Sequence, residues 1–332
     1  MTKNNPWERL PSTASLVPIG THSLHLTAAG PSRKPRDPIA IIVPGLASPT
    51  SSWAAVVRIL SPSIRTYQYD RSGFGLSEDS PLPPTAENIA LELDLLLQAA
   101  NVEPPYILIA HSWGGILARE FMARRTEGGV VGTVFVEANQ ERTLEVLDWR
   151  PFVWWCIAAD ADFMEVSGVE RERKLNDEEW KVYLADLENE RDKKQAAKER
   201  DEYENSFETL RQKGQFEKQP PLLAGAAVSI VKGQNGALLR KLFDAVVGKD
   251  FGSEIEIRKY GEFLKTFDEK DIGLQSEIRK LSSNSRFVEA RNSGHGSEMG
   301  DGPIPVPIES QVNSKSCGTN LGATGACRIR PT

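Results

Sequence analysis

The chain has 332 residues, 39% of them hydrophobic and 26% charged, which is enough apolar material for a sizeable core and excludes a disordered or fibrous protein. Its 40 basic and 46 acidic side chains leave a net charge of −6, so no basic footprint for a nucleic-acid backbone is present. Cys156, Cys317 and Cys327 are too few for a disulfide framework and lack the grouped spacing of a metal site, so a reducing compartment is expected. The first residues lack the apolar core of a signal peptide, and no apolar run approaches ~18 residues. A soluble, cytoplasmic protein without a membrane span is therefore the expectation.

In chain order, residues 16–26 hold two short alternating stretches around Gly20, which predicts a β-hairpin. The continuous apolar run Pro38-Ile39-Ala40-Ile41-Ile42-Val43, ended by Pro44-Gly45, reads as a strand buried on both faces. Residues 66–70, 106–110 and 130–136 read the same way. Thr85 is placed to cap a helix whose Ile89, Leu93, Leu96 and Leu97 share one face and which ends near Asn101. Alternating strands and helices indicate an α/β fold with a mostly parallel central sheet flanked by helices.

After Gln140 the composition changes. Residues 165–218 are dense in charge and poor in glycine, which predicts helices. Trp180, Tyr183, Leu184 and Leu187 form one apolar stripe, and Tyr203, Phe207 and Leu210 another. Residues 188–202 between them carry almost no large apolar side chain and read as a solvated, charge-alternating helix face. The parallel sheet resumes at 227–231 and again at 285–290. The expected organisation is an N-terminal extension (1–13), a core in two parts (14–140 and 219–298), a helical cap or lid insertion (141–218) and an irregular C-terminal tail (299–332).

The sharpest chemical signal is Ile109-Ala110-His111-Ser112-Trp113-Gly114-Gly115, set between a predicted strand and a predicted helix. So tight a turn needs small residues two before and two after its apex, and Ala110 and Gly114 supply them. The apex serine then projects its Oγ beyond the sheet edge, at the positive end of the following helix. Val43-Pro44-Gly45-Leu46 ends an earlier strand, and Asp70-Arg71-Ser72-Gly73-Phe74-Gly75-Leu76-Ser77 follows the next one. In this order and spacing the three segments resemble the α/β-hydrolase family, over residues 14 to about 298. Fungal members look most similar, through Trp113 and the segment 266–288. Pro44 stands where many members have histidine, and the Gly- and Pro-rich stretch after Gly296 departs from the closing helix that members usually carry.

The resemblance implies the α/β-hydrolase fold with a helical cap, and a serine nucleophile at Ser112 that needs a base, because a hydroxyl is a poor nucleophile until its proton is removed. Of four histidines, His22 and His25 lie in the hairpin and His111 faces the other side of its strand. His295 remains, in the loop after the last strand, where the family carries its catalytic histidine. The acid has two candidates. The more common family position follows the 227–231 strand, where Lys232-Gly233-Gln234-Asn235-Gly236 offers no carboxylate and the next one is Asp244. Some members, certain lactonases among them, take the acid from the end of the strand after the elbow helix, where Glu137 stands. Glu137 is favoured over Asp244.

By the same resemblance, the oxyanion hole uses the backbone N–H groups of Leu46 and Trp113, and Trp113, Trp149, Trp154 and Trp155 are candidates for lining an apolar substrate pocket. The implied activity is hydrolysis of an ester, thioester or lactone of a small apolar molecule, with secondary metabolism as its setting. It requires no cofactor and no metal, and the expected partner is a small-molecule substrate. A serine rather than an aspartate at the elbow argues against epoxide-hydrolase and haloalkane-dehalogenase chemistry. An acyltransferase or lyase using the same triad, and an inactive scaffold that binds a ligand, are the alternatives.

Overall fold

The computed structural model describes residues 5–125, 129–291 and 294; the tail expected at 299–332 lies outside them. Eight strands, β1 Ser12–Pro18, β2 Ser23–Ala29, β3 Ile39–Val43, β4 Thr66–Tyr69, β5 Tyr106–His111, β6 Val130–Val136, β7 Ala227–Lys232 and β8 Ser285–Glu289, form one sheet in the order β1-β2-β4-β3-β5-β6-β7-β8. The expected hairpin is β1–β2, and β2 is antiparallel to both its neighbours; every other pairing is parallel. All five residues of β3 are buried, as its unbroken apolar run requires.

Helices α1 Pro6–Arg9, α2 Ala54–Leu60, α3 Ala86–Ala99 and α4 Gly114–Arg124 belong to the first half of the chain. Thr85 caps α3 by accepting the Asn88 N–H at 3.2 Å, and Ile89, Leu93, Leu96 and Leu97 are buried on one face. Between β6 and β7 lie α5 Thr143–Val146, α6 Arg150–Ala158, α7 Phe163–Ser167, α8 Val169–Glu172, α9 Asp177–Glu188 and α10 Glu190–Arg211; α11 Asn235–Val247 and α12 Glu254–Glu277 separate β7 from β8. No helix among the described residues is long and apolar enough to cross a membrane.

The helical insertion divides between two cores. Tyr203, Phe207 and Leu210 on α10 join the main core with Trp113, Phe121 and the sheet, whereas Phe152 and Trp155 on α6 form a second core with Leu242 of α11 and Leu264 and Phe267 of α12. The second core therefore draws on helices from both sides of β7 in the sequence. Two expectations need correction. Leu184 is 38% exposed and drops out of its stripe, because Trp180 and Tyr183 already fill the small cluster beneath α9. The face of α10 expected to be solvated is not: Asp192, Gln195 and Glu199 are buried, since α10 lies across the turn that follows β4 and gives its polar side chains partners there.

If the C-terminal half of α10 is part of the main core, Phe207→Ala should cost about 3–5 kcal/mol, the range for truncating a buried phenylalanine. Leu184→Ala on α9 should stay within roughly 0.5 kcal/mol. Urea denaturation followed by circular dichroism reads both; equal, small losses would mean that α10 sits on the core without stabilising it.

Candidate active site

Ser112 sits one residue past β5 with φ +51°, the left-handed turn that lets a strand reverse straight into α4. Its N–H still extends the β5–β6 ladder, donating to the Val136 carbonyl at 3.1 Å, while its own carbonyl accepts the N–H groups of Gly115 and Asn139 at 2.9 and 2.8 Å. The small residues are forced by what lies above them. A Cβ on Gly114 would collide with the carbonyl oxygens of Val43 and Pro44, and one on Gly115 would stand 2.7 Å from the Ala138 Cβ. Gly45 is tight but less so: a Cβ there would lie 3.1 Å from the Cβ of Ser112. Thus the turn after β3 rests directly on the elbow. Among the described residues neither the Leu46 nor the Trp113 N–H has an acceptor, whereas the Ala47 N–H is bound by Glu199 Oε2 at 2.9 Å.

Glu137 repeats the elbow geometry one strand over. It follows β6 with φ +47°, its N–H donates to the Val231 carbonyl at 2.9 Å, and its side chain is buried. The Gly233 N–H donates to Oε1 and the Asn235 side-chain amide to Oε2. The segment after β7, empty of acid in the sequence, thus supplies hydrogen-bond donors to the carboxyl on β6. Asp244 lies two turns along α11 and is exposed. His295 lies outside the described residues; Gly294 before it lies against Leu238, which shares a cleft with Glu137. The other histidines have structural partners: His22 binds Thr21 and Ser72, His25 binds Asp70 at 3.0 Å, and the His111 ring meets Trp53 edge-on at 5.9 Å.

A sequence profile described as the alpha/beta hydrolase family matches residues 40–299. The chain belongs to the alpha/beta hydrolase family. It is 35% identical over 306 residues to an "AB hydrolase superfamily protein" of Gibberella zeae, covering 88% of this chain and 93% of that one. It is 33% identical over 305 residues to a "Probable transporter efuK" of Hormonema carpetanum, covering 89% of this chain but only 42% of that longer protein. Among solved structures it shares the fold of the Cif epoxide hydrolase from Acinetobacter nosocomialis, with TM-score 0.58, 17% identity and coverage of 88% and 86% of the two chains.

In this family member the four tryptophans expected at the pocket have different fates. Trp149 lines the cleft beside Glu137, together with Asn139, Asn235, Leu238, Phe267 and Asp271; Ser112 is not part of that lining. Trp155 turns into the second core, 4.9 Å from Tyr260, and Trp154 is 40% exposed, because one helix cannot direct neighbouring side chains to the same face. The Trp113 indole is fully buried and donates to Ser206 Oγ on α10 at 2.9 Å.

Two polar groups beside Glu137 were not evident from the sequence. Lys232, at the end of β7, pairs with Asp271 of α12 at 3.3 Å, and both are buried beside Glu137. Burial first, and then the Asp271 charge, push Glu137 up to about 8, against the pull of Gly233, Lys232 and Asn235. Asp271 is raised as well, by burial. A carboxyl whose folded pKa exceeds its ordinary value keeps a proton that the unfolded chain has released, so stability falls as pH rises from ~4.5 towards 8. Glu137→Gln removes this term. The variant should lose less melting temperature than the parent between pH 5 and 8; parallel losses would contradict the buried, proton-retaining environment.

Proposed function

We propose that the protein is a serine hydrolase that cleaves an ester, thioester or lactone of a small apolar molecule. The observation that carries this reading is the meeting of Ser112, at a left-handed apex after β5, with two backbone N–H groups, of Leu46 and Trp113, that have no acceptor among the described residues. In the proposed reaction Ser112 Oγ attacks the carbonyl carbon and its proton passes to the His295 imidazole. The carbonyl oxygen becomes an oxyanion held by the Leu46 and Trp113 N–H groups. The bond to the leaving oxygen or sulfur breaks, His295 returns the proton to it, and an acyl-Ser112 ester is left. Water, deprotonated by His295, then releases the acid and restores Ser112.

In its carboxylate form, which a cationic imidazole beside it favours, Glu137 orients His295 and stabilises its imidazolium. Its burial, the donors on both carboxyl oxygens and its place at the end of the strand beside Ser112 support it over the exposed Asp244. Serine at the apex also favours acyl transfer to water over the epoxide chemistry named for the Acinetobacter structure.

Labelling with a fluorophosphonate probe tests the reading. The wild type should be labelled and Ser112→Ala should not, with the variant keeping its circular-dichroism melt and at most a few per cent of p-nitrophenyl ester hydrolysis. Glu137→Gln should lower turnover on the order of 10³- to 10⁴-fold, since an amide neither fixes the histidine tautomer nor stabilises its charge, whereas Asp244→Asn should change it less than twofold. Full activity in the Ser112 variant, or a crippled Asp244 variant beside an active Glu137 one, overturns the assignment. A panel of lactones and esters then narrows the substrate.

A further inference from the structure

The turn after β4, prominent in the sequence, has no part in the chemistry proposed above, yet it carries a buried ion pair aimed at the reacting centre. Arg71 is 4% exposed and Glu199, on α10, is fully buried. Arg71 Nε and Nη2 donate to the two carboxylate oxygens of Glu199 at 2.6 and 2.9 Å. The same guanidinium reaches the turn after β3, donating to the Gly45 carbonyl at 2.9 Å and the Pro44 carbonyl at 3.3 Å. From the other side, Glu199 Oε2 accepts the Ala47 N–H at 2.9 Å. Pro44, Gly45 and Ala47 are therefore held by one ion pair, and Leu46 lies between the fixed points.

Ala47 stands at φ +54°, a conformation that a residue with a side chain keeps only when its surroundings over-determine it. Its methyl group is enclosed by Phe74 and Ala196, and the Arg71 guanidinium lies 5.3 Å from the centre of the Phe74 ring. Helix α10 follows this turn over a whole face: Asp192 accepts the Gly75 N–H at 3.2 Å, and a Cβ on Gly73 would stand 2.7 Å from Gln195 Oε1.

We propose that Arg71 and Glu199 are positioning residues for the oxyanion hole: the pair clamps the turn after β3 so that the Leu46 N–H faces the carbonyl oxygen of a substrate at Ser112, and so makes the seating of α10 a condition of turnover. The proposal rests on the serine-hydrolase reading. A donor that stabilises a developing oxyanion acts only when it is held in place before the charge appears, and misplacing it costs catalysis more than binding. A bidentate, desolvated guanidinium–carboxylate pair is suited to this because its geometry is rigid as well as strong.

Glu199→Gln keeps the shape but not the charge, and Arg71→Lys keeps the charge but cannot reach the carboxylate and two carbonyls together. Each should lower kcat for p-nitrophenyl butyrate roughly 10- to 100-fold, with KM within threefold. Fluorophosphonate labelling of Ser112 should slow in parallel, and hydrogen–deuterium exchange in peptides covering 44–47 should quicken about tenfold while β5 keeps its protection. Whichever variant folds suffices. Wild-type kcat and exchange in a folded variant would reduce the pair to a structural one, and a rise in KM with kcat unchanged would assign it to the pocket wall; either overturns the proposal. A wild type that resists labelling defeats the hydrolase reading, while the exchange measurement still decides the clamp.

Discussion

Where β3, β5 and β6 end, backbone reversals meet with no room between them. Gly45 lies against Ser112, Gly114 beneath the Val43 and Pro44 carbonyls, and Gly115 against Ala138. This crowding is the constraint on which the site depends. It compels glycine at 114 and 115, holds Gly45 tight against the elbow, accompanies the left-handed conformations of Ser112 and Glu137, and brings to one edge of the sheet a hydroxyl, a carboxyl and two N–H groups that have no acceptor among the described residues. The parallel register supports it, because β6 and β7 each give a carbonyl near their ends to the turn beside them: Val136 to Ser112 and Val231 to Glu137.

Above this edge the helices hold the turns by different means. α11 and α12 meet α6 in an apolar second core, and their polar residues Asn235 and Asp271 surround the Glu137 carboxyl. α10 uses polar side chains: Glu199, Asp192 and Gln195 bear on the turns after β3 and β4, while Tyr203 and Phe207 anchor the other end of the helix in the main core. Burying Glu199 is tolerable because Arg71 and the Ala47 N–H satisfy both its oxygens.

Most strand positions were legible in the sequence because they are short β-branched or apolar runs closed by glycine, proline or a polar turn; β1 was read only from Leu16, since residues 12–15 carry no apolar pattern. The elbow was legible because its steric demands fall on neighbouring residues. The partners of Glu137 and Glu199 were not, since they come from segments 96 and 128 residues away and depend on how strands and helices pack. The charged stretch of α10 misled for a related reason: a polar face reads as solvated unless its partners are known, and here Arg71 lies in another turn. The fates of Trp149, Trp154 and Trp155 depended on which helix face meets the second core, and half of that core is supplied by α11 and α12.

The central claim is that Ser112, His295 and Glu137 act as one unit facing an oxyanion hole at Leu46 and Trp113. The most direct measurement is a crystal structure of the protein after reaction with a fluorophosphonate. The account predicts phosphorus bonded to Ser112 Oγ, the phosphoryl oxygen within hydrogen-bond distance of the Leu46 and Trp113 N–H groups, and the His295 imidazole between the adduct and Glu137. A phosphonate on another residue, or an adduct at Ser112 whose oxygen points away from both N–H groups with His295 remote from Glu137, would contradict it.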